Sequence, residues 1–226
     1  MKVVSLFSGA GGFDLGFIRA GHEIVYAVDN DKQACETYRK NIGPIVCKDI
    51  REVSSDESPD CDVVIGGFPC QGFSQANGNR CVSDERNTLY LEMLRIIKDK
   101  QPEWFVAENV RGILSLGKGE VIKQIVDDFK SVGYNVEYQL LNCADYGVPQ
   151  MRQRVFIIGN NSGKEIKFPQ PTHYDPTKEK IEGLKPYVTV RDTIGWLEDI
   201  PCSDEPIEID EEIIPHEIRC QMLKVQ

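Results

Sequence analysis

One cysteine in this sequence directly follows a proline, in Gly66-Gly67-Phe68-Pro69-Cys70-Gln71-Gly72-Phe73-Ser74. Proline fixes the backbone just ahead of the thiol, and the glycines leave room for a planar ring beside it. A thiol with an ordinary pKa of about 8.5 becomes a useful nucleophile only in a polar or electropositive setting. Further on, Trp104-Phe105-Val106-Ala107-Glu108-Asn109-Val110 puts a carboxyl after an apolar run. Partly desolvated there, Glu108 could hold a proton for general acid work. Then Gln150-Met151-Arg152-Gln153-Arg154 leads into another apolar run. Residues two apart in an extended segment point the same way, so Arg152 and Arg154 can converge on one anion or ring. A nucleophile, an acid and paired cations are parts from which covalent catalysis is built. Each has a plainer reading. A lone cysteine is commonly a small buried hydrophobe, the preferred reading for Cys35, Cys47, Cys61 and Cys143. Glu108 could cap a helix, and single arginines are ordinary surface charges.

A second set of residues suits a nucleoside. The run Val3–Phe7 leads into Ser8-Gly9-Ala10-Gly11-Gly12, a turn that lets a ligand approach the peptide groups. Asp29 ends the next apolar run 20 residues after Gly9, where an acid can accept hydrogen bonds from ribose hydroxyls. Asp49, after a further short apolar run, could receive an adenine amino group. The plainer reading of Asp29 is a cap for a helix over 31–41. This pattern fits any nucleoside-bearing cofactor, NAD included, and does not choose among them.

The elements that must position these groups follow from the apolar pattern. Val3–Phe7, Ile24–Val28, Cys61–Ile65, Trp104–Ala107, Val136–Leu141 and Val155–Ile158 read as strands. A helix is expected near Phe13–Ala20. Leu89, Tyr90, Met93, Leu94 and Ile97 recur at helical spacing, as do Val121, Ile122, Ile125, Val126 and Phe129, with Gly133 as a stop. Repeated β-α-β with apolar strands implies an α/β, mostly parallel sheet covered by helices on both faces. Ligands of such sheets bind at the carboxyl ends of the strands, so the motifs should gather along one edge. From about Lys164 the alternation stops, and Pro, charge and polar residues take over.

With 226 residues, 41% hydrophobic and 27% charged, the chain can bury a sizeable core. No apolar stretch is long enough to span a membrane, and the N-terminal run is too short for a signal peptide, so a cytoplasmic, prokaryotic or phage-like protein is expected. The eight cysteines form no Cys-x-x-Cys pair and no histidine clusters with them, which speaks against zinc and for reduced thiols. The net charge of −10 is uneven. Residues 198–217 hold nine acids and no Lys or Arg, and only Arg219 and Lys224 follow, so residues 1–197 carry about −3. A nearly balanced body neither demands nor excludes nucleic acid, and the acidic stretch reads as a solvated or partner-facing tail.

Phe7-Ser8-Gly9-Ala10-Gly11-Gly12, Gly67-Phe68-Pro69-Cys70-Gln71, Glu108-Asn109-Val110 and Gln150-x-Arg152-x-Arg154, in this order and spacing, resemble the motifs of cytosine-C5 DNA methyltransferases. The likeness covers roughly residues 1–200. It implies a Rossmann-like methyltransferase sheet with S-adenosyl-L-methionine as cofactor and double-stranded DNA as substrate. Phe7, Gly9, Gly12, Asp29, Asn30, Asp49, Ile50, Pro69 and Leu89 match positions that line the cofactor in this family. Gln71, Ser74 and Val110 match substrate positions. By the same resemblance, Cys70 adds to C6 of a flipped cytosine, Glu108 serves N3, and Arg152 and Arg154 support the pyrimidine and the nucleophile. Lys48 stands where the family usually has Gly before Asp49-Ile50. Residues 1–163 then correspond to the catalytic and cofactor-binding domain, and 164–226 to an extension leading toward a target-recognition region. Family members continue through that region into two further motifs that this sequence lacks. A second chain or missing segment is therefore expected, and the alternative is a half-protein inactive alone. A tRNA cytosine methyltransferase is the other alternative, though those typically carry a second proline in place of Gly67-Phe68.

Overall fold

A computed structural model describes residues 1–69, 89–198 and 200. The elements run β1 (Lys2–Leu6), α1 (Gly12–Arg19), β2 (Glu23–Asp29), α2 (Lys32–Asn41), β3 (Val46–Cys47) and β4 (Val63–Gly66). They continue as α3 (Leu89–Lys100), β5 (Trp104–Val110), α4 (Glu120–Ser131), β6 (Asn135–Asn142) and β7 (Gln153–Asn160). These strands form one sheet in the order β3-β2-β1-β4-β5-β7-β6. Neighbours from β3 through β5 are parallel, and β7 runs antiparallel to β5. Parallel neighbours require crossovers, which the helices supply, and strands buried on both sides explain the continuous apolar runs.

Alternate residues of each strand feed opposite faces. Val4, Leu6, Val64, Phe105, Ala107, Val155 and Ile157 pack with Met93, Ile96 and Ile97 of α3 and with Ile122, Ile125, Val126 and Phe129 of α4. The spacing of the α4 set gives one apolar stripe. On the other face Val3, Val63 and Ile65 meet Phe13 and Phe17 of α1. Ala27 and Ile45 pack with Cys35 and Tyr38 of α2. The two faces are not equally covered. Over β5 and β7 on the α1 side, Trp104, Val106 and Ile158 stay half-buried, whereas Phe105, Val155 and Ile157 on the α3–α4 side are fully buried. There they line, with Phe17 and Val63, an apolar groove of about 360 Å³.

Two strands run further than their apolar runs suggest. β5 continues through Glu108 and Asn109 to Val110 because β7 supplies an antiparallel partner as far as Arg154. β7 begins at Gln153, directly after Arg152.

The chain divides into two compact units, one of residues 1–141 with 153–169, the other of 142–152 with the residues from 170 on. In the second, a short paired β8 (His173–Tyr174) and β9 (Lys185–Pro186) precede α5 (Val190–Ile194). Thr189 and Asp192 close a capping box at the start of α5. The Thr172 amide donates to the Asp145 carbonyl at 2.8 Å, and the Tyr187 hydroxyl donates to the Asp145 carboxylate. These bonds hold the 142–152 loop to the later segment. Among the described residues no helix is long and apolar enough to cross a membrane, and no three His, Cys, Asp or Glu cluster as metal ligands.

Candidate active site

At the carboxyl end of β1 the chain turns sharply. Phe7 takes φ +55°, the left-handed region that bulky residues rarely occupy, and such strain persists only where surrounding contacts impose it. The Gly9 amide donates to Asp29 Oδ2 at 2.8 Å, and the Asp31 amide donates to Asp29 Oδ1 at 2.8 Å. Asp29 thus stands at the end of β2, half-buried, with its carboxylate oriented by two backbone groups and with lone pairs to spare. The cap of α2 is Asp31, which accepts from the Ala34 amide at 2.8 Å, so Asp29 is not needed for that task. Asn30 beside it is exposed.

Beneath the turn lies a buried polar chain. The Ser8 and Ser5 hydroxyls are 2.8 Å apart, Ser5 donates to Asp14 Oδ2 at 2.9 Å, and the Tyr38 hydroxyl donates to Asp14 Oδ1 at 2.8 Å. Asp14 is fully buried, and that burial pushes its carboxyl above the usual carboxylate range although the Tyr38 and Ser5 bonds favour the charged form. Gly11, at φ +90°, lies against the same pillar: a Cβ there would meet Ile42 Cγ1 at 2.5 Å and Tyr38 Cδ2 at 2.9 Å. The helix α1 starts from Gly11 with no side-chain cap, so its first amides remain available at the turn. Asp49 follows β3 and caps a short 3-10 turn over Ile50–Glu52. The Arg51 guanidinium meets it at 3.0 and 2.6 Å and holds its carboxyl below the usual range. Ile50 is buried, Leu89 at the start of α3 half-buried, and Pro69 exposed.

The ends of β4, β5 and β7 bring together the second group. Arg154 Nε lies 2.6 Å from Glu108 Oε1, both side chains being largely but not fully buried. The other carboxylate oxygen faces Gly67: a Cβ on Gly67 would stand 3.2 Å from Glu108 Oε2. The glycine expected to make room for a ring therefore also makes room for the acid. Asn109, 2% exposed, donates from Nδ2 to the Phe68 carbonyl at 2.9 Å and accepts the Val110 amide at 2.9 Å. Val110, at the end of β5, is 44% exposed.

The two arginines fall in different compact units. Arg154 sits in β7 on Glu108, whereas Arg152 precedes the strand, is exposed, and belongs to the other compact unit. Cys70, Gln71 and Ser74 lie outside the described residues. Of the cysteines read as buried hydrophobes, Cys35 is buried, Cys61 and Cys143 are half-buried, and Cys47 is exposed, because β3 is a two-residue edge strand. Burial pushes the Cys35 and Cys61 thiols up to about 11, which leaves both poor nucleophiles.

Sequence reading attached no role to Ser5, Asp14, Tyr38 or Asn109. The available signal was an acid inside the first turn of α1, next to Phe13 on a face that must meet the sheet. A buried acid there requires partners.

The architecture is a Rossmann-like α/β sheet, with an acid, an arginine and a glycine turn gathered at the carboxyl ends of its strands. Residues 1–223 match the family model of the C-5 cytosine-specific DNA methylases, and the chain belongs to that family. It is 42% identical over 215 residues to the type II methyltransferase M.NgoFVII of Neisseria gonorrhoeae, covering 93% of this chain and 57% of that relative. With M.BsuRI of Bacillus subtilis the identity is 44% over 230 residues, 87% of this chain and 51% of the relative. The chain thus spans little more than half the length of these relatives. M.AquIA of Picosynechococcus, 40% identical, is matched over 88% of its own length. Among solved structures, a prophage-encoded E. coli protein described as a DNA modification methyltransferase superposes with a TM-score of 0.73 at 29% identity, covering 92% of this chain and 58% of that one.

Proposed function

We propose that this chain is the catalytic and cofactor-binding part of a DNA cytosine-C5 methyltransferase. The observation that supports it most is the Glu108–Arg154 pair beside Gly67, at the start of the segment that runs into Pro69-Cys70. The turn at Ser8–Gly12, the oriented Asp29 carboxylate and the uncapped start of α1 suit a zwitterionic nucleoside. Phe7, Gly9, Gly12, Asp29, Asn30, Asp49, Ile50, Pro69 and Leu89 would line it. Bound there, S-adenosyl-L-methionine supplies an electrophilic methyl group on a sulfonium.

The target cytosine must leave the duplex stack to be reached. The Cys70 thiolate adds to C6, forming a carbon–sulfur bond and pushing an electron pair into the ring, so that C5 becomes nucleophilic. Glu108 holds a proton at N3 against the charge that builds there, and Arg154 keeps the carboxyl in place. Arg152, Gln71, Ser74 and Val110 would contact the substrate. After the methyl group is on C5, a base takes the C5 proton, the electron pair reforms the ring double bond, and Cys70 leaves as thiolate.

Residues 1–163 form the catalytic domain in this reading, and 164–226 lead toward a target-recognition region. Two features favour a further polypeptide, in the same chain or a second one. The chain matches only 57% of M.NgoFVII and 51% of M.BsuRI, and an apolar groove lies open over β5 and β7 on the α1 side of the sheet. A body of net charge about −3, with an acidic tail, also offers no net positive charge toward the phosphates on which DNA affinity depends.

DNA containing 5-fluorocytosine tests the chemistry, since fluorine at C5 cannot leave as a proton does. With the downstream portion supplied, a covalent adduct should map to Cys70; an adduct on another cysteine would refute the assignment. Calorimetry of S-adenosyl-L-methionine binding, with and without that portion, tests completeness. Weak binding alone and tight binding with it are expected. Tight binding and site-specific methylation by residues 1–226 alone would overturn the need for a further polypeptide.

A further inference from the structure

The parallel ladder between β4 and β5 ends at the pair Gly66–Ala107. Beyond it the two chains no longer exchange ladder hydrogen bonds, yet they stay together for two more residues. Gly67 lies beside Glu108, and Phe68 is tied to Asn109. The tie is the Asn109 carboxamide, which donates to the Phe68 carbonyl at 2.9 Å and accepts the Val110 amide at 2.9 Å. It acts as one extra rung made by a side chain. Both ends of the Phe68 bond are buried, Asn109 at 2% and Phe68 at 4%, so water cannot substitute for it. Phe68 is held on its other side as well: its ring packs 6.1 Å from that of Tyr90, whose hydroxyl donates to Asp128 at 2.8 Å.

We infer that Asn109 is a positioning residue for methyl transfer. It fixes the point from which the chain enters Pro69 and Cys70 relative to the Glu108 carboxyl on the adjoining strand. The inference rests on the reading of Cys70 as nucleophile and Glu108 as acid. Chemistry between two such groups on one ring depends on their separation, and misplacement of about 1 Å costs about 100-fold in rate. No apolar residue can make this rung, and a carboxylate makes only half of it: aspartate accepts from Val110 but opposes the Phe68 carbonyl.

The test uses the active assembly, this chain with its downstream portion, and the variants Asn109→Asp and Asn109→Leu. Both should lower kcat by about 100-fold while the KM for S-adenosyl-L-methionine stays within about threefold of the parent. A purely structural defect would show in the melting temperature and in both constants. The pH profile separates the two variants. As the pH falls, Asn109→Asp becomes protonated and regains an O–H donor toward Phe68, so its kcat should recover relative to the parent, whereas that of Asn109→Leu should not. Should Asn109→Leu fail to fold, the Asn109→Asp pH series alone decides. A kcat for Asn109→Asp within threefold of the parent, or a deficit that does not shrink at low pH, would overturn the inference. Substantial turnover by Cys70→Ser would instead remove the reading beneath it.

Discussion

The two halves of the strand edge are held in different ways. On the cofactor side, Asp29 takes two backbone amides and Asp14 takes two hydroxyls from a fully buried chain through Ser5 and Tyr38. On the acid side, Glu108 has one guanidinium, and about a quarter of its side chain is exposed. Backbone amides and a buried network cannot rearrange without disturbing the sheet. A partly exposed ion pair can exchange one oxygen for a ligand at little cost. Under the proposed function, the half around Asp29 is thus preset for the cofactor, and the half around Glu108 is free to redistribute its contacts around the target ring.

The largest effect expected concerns chemistry without binding. Cys70→Ser should abolish methyl transfer, and Glu108→Gln should lower kcat by about 10² to 10⁴-fold, both with S-adenosyl-L-methionine affinity nearly unchanged. Asp29→Ala should do the reverse, weakening cofactor binding more than kcat. Equal losses in both constants for Glu108→Gln and Asp29→Ala would break the division between the two halves.

A middle-sized effect separates the two sheet faces. Val106→Lys, on the thinly covered face, should leave the melting temperature of the chain almost unchanged but prevent the downstream portion from raising cofactor affinity. Unimpaired complementation would show that this surface is simply solvated.

Gly11→Ala should cost about 1–3 kcal/mol of stability, since the φ is left-handed and the added carbon meets Ile42 and Tyr38. Urea titration measures it, and a parental midpoint would mean that the turn yields more easily than its contacts suggest.

The smallest effect is electrostatic. Burial raises the Asp14 carboxyl above its ordinary value, so the folded chain keeps a proton that the unfolded chain has already released. Stability from this group is therefore full below the usual carboxylate range and declines as pH rises through the raised value. Asp14→Asn removes that slope. Unfolding midpoints measured across the mildly acidic range should fall less steeply in the variant, and parallel slopes would show Asp14 contributes nothing there.

Much of the scaffold was legible because buried parallel strands and one-sided helices leave plain apolar periods. The β1, β2, β4, β5 and β7 runs and the α3 and α4 stripes all carry them. Ends were less legible: β5 outlasts its apolar run because β7 pairs with it, and that partner arrives from 44 residues or more away in the chain. Glu108 and the glycine turn were readable from their places after apolar runs. The partner of Arg154 was not, since Glu108 lies on a strand distant in sequence.

The order of residue types along this chain already determined which groups are available: an oriented acid after β2, a carboxyl at the end of β5, a cysteine behind a proline, and membership in a cytosine methylase family. Tertiary structure decided what those groups touch. That Arg154 meets Glu108, that Gly67 yields its side-chain space to a carboxylate, and that Asn109 extends a finished ladder depend on strands distant in sequence lying one hydrogen bond apart. Local propensity carries no information about such neighbours, because the free energy that selects them comes from closing the sheet.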